Sequence, residues 1–408
     1  MAQLILAVNA GSSSLKCTLF QNNDSLDRIV SIEISGLNSS DPASVEIRKG
    51  SEKEEKEDKN IKNHDDAFRR VLQLLEKDES VPGIQHAEKI IAAHRIVHGG
   101  DFEHDVEIND ETYHYLEKLE ELAPLHNASA LAIIQSCSRE LPKAKNVACF
   151  DSVFHQTMPE AVKTYMIDPE HAKEKGLRKY GFHGISYKSI LRSVSHHLQK
   201  PEEETSLIVL HLGSGASVCA IQNGKSIETS MGLTPLSGLP GSSRSGDVDP
   251  TLVFHFTSDA GQLSSKSTKE LHITNAEEIL NKKSGWAALT GTSDFSKIGV
   301  PSATGANRLA FDIFVDRIVG FIGNYYVKLS GKVDAIVFAG GIGERSAYLR
   351  QQVCQRCECL GLGALGNKEN EKKMEGAVLD ITEKETNKIL VCHTDEEAEM
   401  ARSCRENF

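Results

Sequence analysis

Short apolar runs alternate with longer segments whose apolar residues recur at helical spacing, from one end of the chain to the other. That alternation predicts an α/β fold. Residues 4–10 and 15–20 read as two strands joined by the turn Gly11-Ser12-Ser13-Ser14, and the apolar runs 89–97, 146–150 and 335–339 read as further strands. Helical spacing covers 110–122 and stops at Pro124. It resumes over 128–140, with Asn127 as its expected N-cap, and again over 186–198 and 308–329. The mixed charge runs SEKEEKEDKN at 51–60 and GNKENEKKMEG at 366–376 read as solvated loops or surface hairpins.

One pattern occurs twice. Residues 4–20 are LILAVNAGSSSLKCTLF and residues 207–222 are LIVLHLGSGASVCAIQ. Each is an apolar strand, a Gly/Ser turn and a second strand. A separation of about half the chain predicts two similar domains from a duplication, because solenoid repeats recur every 20–50 residues or so. The length of 408 residues agrees with two or three domains.

Charge narrows the function. Lys and Arg number 46 against 58 Asp and Glu, a net charge of −12. That argues against nucleic acid or an anionic membrane as partner. A small anion needs only a local cluster of Arg and Lys. No apolar run approaches the roughly 18 residues of a membrane span, and the opening MAQLILAVNAG reads as a strand rather than a signal peptide. Nine scattered cysteines predict reduced thiols and a cytoplasmic protein. Cys354, Cys357 and Cys359 have CxxCxC spacing but lack a fourth ligand, so they read as helix thiols rather than a zinc site.

The Gly/Ser turns carry candidate chemistry. Asn9-Ala10-Gly11-Ser12-Ser13-Ser14-Leu15-Lys16 lacks P-loop spacing and precedes a strand, where a P-loop requires a helix. Its backbone N–H groups, its hydroxyls on Ser12 and Ser14, and Lys16 still suit phosphate. His211-Leu212-Gly213-Ser214-Gly215 repeats that logic. The loop Gly340-Gly341-Ile342-Gly343 follows a strand and opens a helix, a third place for a phosphate or polar group. Asp151 ends one strand, where α/β proteins place catalytic side chains, and Arg95 ends another. Arg244 lies in the irregular stretch PGSSRSGDVDP. His183 in YGFHG and His126 in APLHN each precede a helix.

Taken in order, NAGSSSLK, AHRIVHGG, APLHN, CFDSVFHQTMP, YGFHG, HLGSGAS, SRSGDVDP, AGGIGE and TDEE span Asn9 to Glu397, and together they resemble the acetate kinase family. The resemblance implies a fold of two duplicated RNase H-like, actin-like ATPase domains flanking a central cleft. Residues 1–152 with 398–408 would form an N-terminal acyl-kinase domain, and 153–397 a nucleotide-binding domain. The last helix would return to the first domain. The implied reaction is Mg²⁺-dependent phosphoryl transfer, with Mn²⁺ as a substitute, between ATP and acetate, giving ADP and acetyl phosphate, and the implied assembly is a homodimer.

Residue by residue, the resemblance implies that Arg95 and Arg244 hold the carboxylate and the phosphoryl oxygens. His183 donates to the phosphoryl group, supported by His126. Asn9, Asp151 and Glu396 fix the metal, and Asp151 counts among the catalytic residues. Val97, Leu125, Phe182 and Pro235 form the methyl pocket. Ser12, Ser14, Lys16, His211, Gly213, Ser214, Gly215, Gly340, Gly341, Ile342 and Gly343 line the polyphosphate, with Asp294 and Phe295 beside the adenosine. Three positions depart from the commoner family pattern: Ser214 and Arg345 stand where Asn is usual, and Ser296 stands where Arg is usual. All three lie on the donor side. Acetate chemistry is therefore expected more firmly than ATP as donor. Pyrophosphate as donor, and propionate or butyrate as acceptor, are the alternatives.

Overall fold

The structure is a computed structural model. It describes residues 4–408 apart from 40, 79–80, 82–89, 120–123, 257–258, 266, 268–272, 362–364 and 384–386, and apart from the side chains of 124–126 and 367. It divides into two compact units, Met1–Val153 with Asp395–Phe408, and Phe154–Thr394.

The first unit is built on an eight-stranded sheet in the order β5-β4-β3-β2-β1-β6-β8-β7. These strands are β1 (Leu4–Ala10), β2 (Ser14–Gln21), β3 (Arg28–Ser35), β4 (Ala43–Lys49), β5 (Glu52–Asp58), β6 (Ile90–Ile96), β7 (Val106–Glu107) and β8 (Lys145–Phe150). β1 pairs antiparallel with β2, Ala10 opposite Leu15, and parallel with β6, which runs parallel to β8. Leu4, Leu6 and Val8 alternate onto one face, against Phe68 and Val71 of helix His64–Glu76 and Ile133 and Cys137 of helix Pro124–Glu140. The charge run at 51–60 is the exposed edge strand β5, paired with β4. Its Lys and Glu side chains keep that edge from pairing with another chain.

The second unit has a six-stranded sheet in the order β11-β10-β9-β12-β14-β13. Its strands are β9 (Leu207–Leu212), β10 (Ala216–Gln222), β11 (Lys225–Thr229), β12 (Ala335–Ala339), β13 (Val378–Asp380) and β14 (Lys388–Cys392). β9 pairs antiparallel with β10 and parallel with β12, which runs parallel to β14. Both faces are covered. Ile208, Leu210 and Leu212 meet Phe311 and Phe314 of helix Gly305–Lys328. Leu207 and Val209 meet Tyr187, Ile190 and Leu191 of helix Gly184–Leu198. That is why β9 and β12 read as near-continuous apolar runs.

The two sheets share the run of antiparallel hairpin, parallel strand and parallel strand. β1-β2 answers to β9-β10, β6 to β12, and β8 to β14. The repeated motif in the sequence is therefore the first hairpin of each sheet.

Two expectations need correction. Asn127 does not cap a helix, because the chain is already helical at Pro124. Asn127 is buried inside it, and its amide exchanges two hydrogen bonds with the backbone of His98. The chain also re-enters the first unit at Asp395 rather than at 398, so Glu396 and Glu397 belong with Asn9 and not with the second unit. Residues Glu396–Asn407 form one continuous helix. Its N-cap Asp395 accepts from the Ala398 N–H, and the helix packs against β1 and β6 from its first turn. The earlier helix at 110–122 runs over Asp110–Leu119, and 120–123 lie outside the described residues. Cys354 and its neighbours sit on the end of helix Ala347–Arg356 and the turn after it, and all nine cysteines are free.

Candidate active site

Each unit gathers its own group of polar residues at the ends of its central strands. In the first unit the centre is Arg95, near the end of β6. Its guanidinium makes a bidentate pair with Asp151, Nη2 to Oδ2 at 2.8 Å and Nε to Oδ1 at 3.1 Å. Nη1 lies 2.9 Å from Glu396 Oε2 and donates to Asn9 Oδ1 at 3.3 Å. The Asn9 amide also donates to Glu396 at 2.9 Å. Four residues distant in sequence thus meet around one charge. Burial works against the Arg95 charge, but Asp151 and Glu396 outweigh it and raise its pKa.

The loop after β6 is fixed by close packing. A side-chain carbon at Gly99 would stand 2.7 Å from the Phe150 ring, and the Gly99 N–H donates to Ser152 at 3.1 Å. With the Asn127 clamp on His98, this explains the spacing of AHRIVHGG. Lys16 bonds to Glu397 at 2.8 Å. Burial lowers the Lys16 pKa, but Glu397 more than offsets this and the net shift is upward. Its amine is therefore already paired where an open phosphate ligand was expected. Ser12 is exposed and Ser14 half-buried in the turn, and Val97 is half-buried just past β6. The side chains of Leu125 and His126 lie outside the described residues.

The donor set of Asn9, Asp151 and Glu396 is an amide and two carboxylates, the hard oxygen ligands that Mg²⁺ takes. Among the described residues no three His, Cys, Asp or Glu side chains gather into a ready metal cage. The set already encloses the Arg95 guanidinium, yet carries two negative charges against one positive. That residual charge fits a divalent ion reached on the remaining oxygen lone pairs or through water.

In the second unit the centre is the hairpin β9-β10. The turn 213–215 is closed by the Gly213 N–H donating to the Gly215 carbonyl at 3.1 Å. The loop around Arg244 docks on it, with the Ser242 N–H donating to Ser214 O at 2.8 Å. The Arg244 guanidinium consequently lies directly over Gly215, in space that any side chain there would fill. Among the described residues no carboxylate pairs with Arg244, and burial lowers its pKa to about 10. A half-buried cation with no anionic partner, laid against a turn of backbone N–H groups, is built to receive an anion.

His183 stands on the same hairpin. It is the N-cap of helix Gly184–Leu198 with φ 60°, a left-handed conformation a non-glycine residue adopts only when held. Its Nδ1 is 2.8 Å from Ser217 Oγ, and its ring lies 4.2 Å from that of His211, centroid to centroid. Ser217 is opposite His211 in the β9-β10 register. Phe182 and Pro235 are both buried.

Beside the hairpin lies a cavity of about 670 Å³. Gly213, Ser214, Asp294, Phe295, Gly341 and Ile342 line it, together with Trp286, Ser296, Arg345 and Tyr348, whereas His211, Gly215, Gly340 and Gly343 do not. Gly340 has φ 73°, and a side-chain carbon there would stand 2.7 Å from Leu212 O, so the glycine is required for β12 to turn against β9. Gly343 is buried in the same turn. Sequence reasoning missed Ser217, Trp286 and Tyr348, and it read Asn127 as a cap rather than as the clamp on His98. For Ser217 a signal existed, since hairpin alternation places it across from His211.

The sequence matches the Acetokinase family over residues 4–402. The chain belongs to the acetokinase family. A "Probable acetate kinase" of Emericella nidulans is 53% identical, over 98% of this chain and 97% of that protein. Among solved structures, a propionate kinase of Francisella tularensis is 32% identical with a TM-score of 0.85, and the Porphyromonas gingivalis acetate kinase is 33% identical with a TM-score of 0.82. Each pair of chains is covered over 99%. The fold of two duplicated actin-like ATPase-type domains follows, as does the activity of this acetokinase: phosphoryl transfer with a carboxyl group as acceptor, the acetate kinase reaction. Among the described residues no helix is long and apolar enough to cross a membrane.

Proposed function

We propose that this acetokinase transfers the γ-phosphoryl group of ATP directly to acetate, reversibly and with Mg²⁺, through the residues just described. The observation that carries this reading is Arg244, a guanidinium lying over the Gly215 turn with no carboxylate partner among the described residues. It supplies a fixed positive charge where a transferring phosphoryl group needs one.

An acetate oxygen attacks the γ-phosphorus as the bond to the β-phosphate oxygen breaks, and ADP leaves. Acetate is already ionised at neutral pH, so no base has to remove a proton. Asp151 therefore acts by position and charge. Charge accumulates on the phosphoryl oxygens, and catalysis consists of holding them and aligning the two reactants. Arg244 and His183 hold those oxygens, His126 assists, and Arg95 directs the acetate carboxylate. Val97, Leu125, Phe182 and Pro235 take the methyl group. Asn9, Asp151 and Glu396 would hold Mg²⁺, which neutralises phosphate charge when bound. The 670 Å³ cavity, with aromatic Trp286, Phe295 and Tyr348, takes the nucleoside.

A homodimer fits the exposed apolar side chains of the second unit, Phe254, Phe256, Leu309 and Val327 among them. A cytoplasmic setting fits nine free cysteines. The deciding assay is acetyl-phosphate-dependent phosphorylation of ADP, run against orthophosphate as acceptor and against propionyl and butyryl phosphates as donors. Turnover with orthophosphate and none with ADP would overturn the nucleotide assignment.

A further inference from the structure

His155 lies in the short helical turn Val153–Thr157, buried against the residue that precedes His183. Its Nε2 is 2.9 Å from the Phe182 carbonyl oxygen, and its Nδ1 is 2.8 Å from Ser226 Oγ on β11. A carbonyl only accepts, so Nε2 carries the proton and donates, and Nδ1 accepts from the Ser226 hydroxyl. Burial lowers the His155 pKa to about 4 and keeps the ring in this neutral form. Thr157 Oγ1 donates to the Ser226 carbonyl at 2.8 Å, so the turn that carries His155 is itself fixed to β11.

The bond to Phe182 falls where the backbone needs it. His183 holds φ 60°, a left-handed conformation that costs energy for a residue with a side chain. That angle is set by the plane of the peptide joining Phe182 to His183, and the Phe182 carbonyl lies in that plane. On the other side, the His183 carbonyl accepts from the Tyr187 N–H at 3.0 Å. The approach to His183 is held as closely. The Tyr180 and Gly181 N–H groups both donate to the Gly232 carbonyl, at 3.0 and 3.2 Å. Gly181 has φ 79°, and a side-chain carbon there would stand 2.7 Å from the His155 ring and 2.5 Å from Thr229.

We propose that His155 is a positioning residue for phosphoryl transfer: by donating to the Phe182 carbonyl, it sets the peptide between Phe182 and His183 and so the direction of the His183 imidazole. This rests on the reading of His183 as a group that holds the phosphoryl oxygens. Phe182, read as a wall of the methyl pocket, is carried by the same peptide. One hydrogen bond therefore governs both the acceptor wall and the phosphoryl donor, while His155 itself touches neither substrate.

The test is steady-state kinetics with acetate, ATP and MgCl₂, together with thermal melting, on the full-length chain and its variants. Glutamine carries its amide N–H at the reach of imidazole Nε2, asparagine only at that of Nδ1. His155→Asn should lower kcat by about tenfold or more, since a misplacement of about 1 Å can cost about 10²-fold. It should raise KM for acetate, because Phe182 moves with the peptide, and leave KM for ATP within about twofold. His155→Gln should keep kcat within about threefold of wild type. Ser226→Ala removes the support behind the ring but leaves the bond to Phe182, so it should lower Tm and spare kcat. Equal kcat in the glutamine and asparagine variants overturns the proposal. A folded His155→Gln with kcat down about tenfold overturns it whatever the asparagine variant does. So does a loss of kcat that follows the loss of Tm in Ser226→Ala and His155→Asn alike, since His155 would then only hold the fold. His183→Ala separates the two readings. Turnover there within about tenfold of wild type removes His183 from the chemistry and takes this proposal with it. A larger loss there, with His155→Asn folded and unaffected, overturns this proposal alone.

Discussion

Ser217 Oγ lies 2.8 Å from His183 Nδ1 and also contacts the buried Tyr187 hydroxyl. Burial raises the Tyr187 pKa well above its usual value, so Tyr187 stays a neutral O–H. If Tyr187 donates to Ser217 and Ser217 donates to Nδ1, all three groups are satisfied and Nε2 carries the imidazole proton. Ser217 is then a positioning residue that makes His183 a hydrogen-bond donor. Ser217→Ala should lower kcat by about tenfold or more, up to the 10²–10³ or so of a lost catalytic donor. KM for both substrates should stay within threefold, and the pH–rate profile should shift. An unchanged profile with unchanged kcat would mean that Ser217 only fills space.

Arg95 and Arg244 should behave differently when removed. Arg95→Ala leaves Asp151 and Glu396 facing each other, the first only 1% exposed. Breaking a buried pair costs about 3–5 kcal/mol, so Arg95→Ala should lose both Tm and turnover. Arg95→Lys should recover much of the Tm but not the rate. Arg244 has no ion pair to lose among the described residues. Arg244→Ala should lower kcat by about 10²–10³ while Tm holds or rises. A large Tm loss in Arg244→Ala, or turnover within tenfold of wild type, would remove Arg244 from its role as anion receptor.

Acid should weaken the two units through one buried imidazole each. Burial lowers the pKa of His94 and of His155 to about 4. Both are therefore neutral in the fold, while the unfolded chain takes up protons near pH 6.5. Their contribution is fully present above pH 6.5 and is lost as pH falls toward 4, at about 1.4 kcal/mol per pH unit for each histidine. Urea midpoints should therefore drop between pH 7 and pH 5. In His155→Gln the drop should be smaller by one histidine's share. Equal slopes in variant and wild type would place the acid sensitivity elsewhere.

Much of this arrangement can be read from the chain before any coordinates. The hairpins at Gly11 and Gly213 announce themselves because an apolar strand, a Gly/Ser turn and a second strand are local features. Their repetition points to duplication. Arg95, Asp151, His183 and Arg244 are conspicuous at strand ends, before a helix and among glycines. What stays hidden depends on tertiary contact. Nothing in EEAEMARSC tells that Glu397 will meet Lys16, a residue at the far end of the chain. Asn127 looks like a cap because its true partner, the backbone of His98, is supplied by another element.

The first-unit cluster also makes a prediction about metal. Arg95 contributes one positive charge, and Asp151 and Glu396 two negative ones. Alone this group repels an incoming carboxylate. Turnover should therefore require Mg²⁺ or Mn²⁺, and a zinc-selective chelator should leave it intact, since the donors are oxygens. Asp151→Asn should raise the Mg²⁺ concentration needed for half-maximal activity. Loss of activity on zinc chelation, restored by zinc, would contradict the assignment.

Lys16 tests whether an expected phosphate ligand has become part of the scaffold. Its amine bonds to Glu397, whose side chain is 4% exposed, while its own side chain is 37% exposed. Removing the lysine strands a buried carboxylate at the first turn of helix Glu396–Asn407, the element that also carries Glu396. The cost should fall between the roughly 1 kcal/mol of an exposed pair and the 3–5 kcal/mol of a buried one, because water screens the lysine end. Lys16→Met should thus lower the urea midpoint. Glu397→Gln added to it should recover part of the loss, since the stranded charge is then gone, and the cycle gives the coupling between the two. If the lysine instead met the polyphosphate during turnover, Lys16→Met would raise KM for ATP with the midpoint unchanged, and Glu397→Gln would not compensate. The double variant decides between the two roles, because only a structural ion pair makes the second substitution favourable in the background of the first.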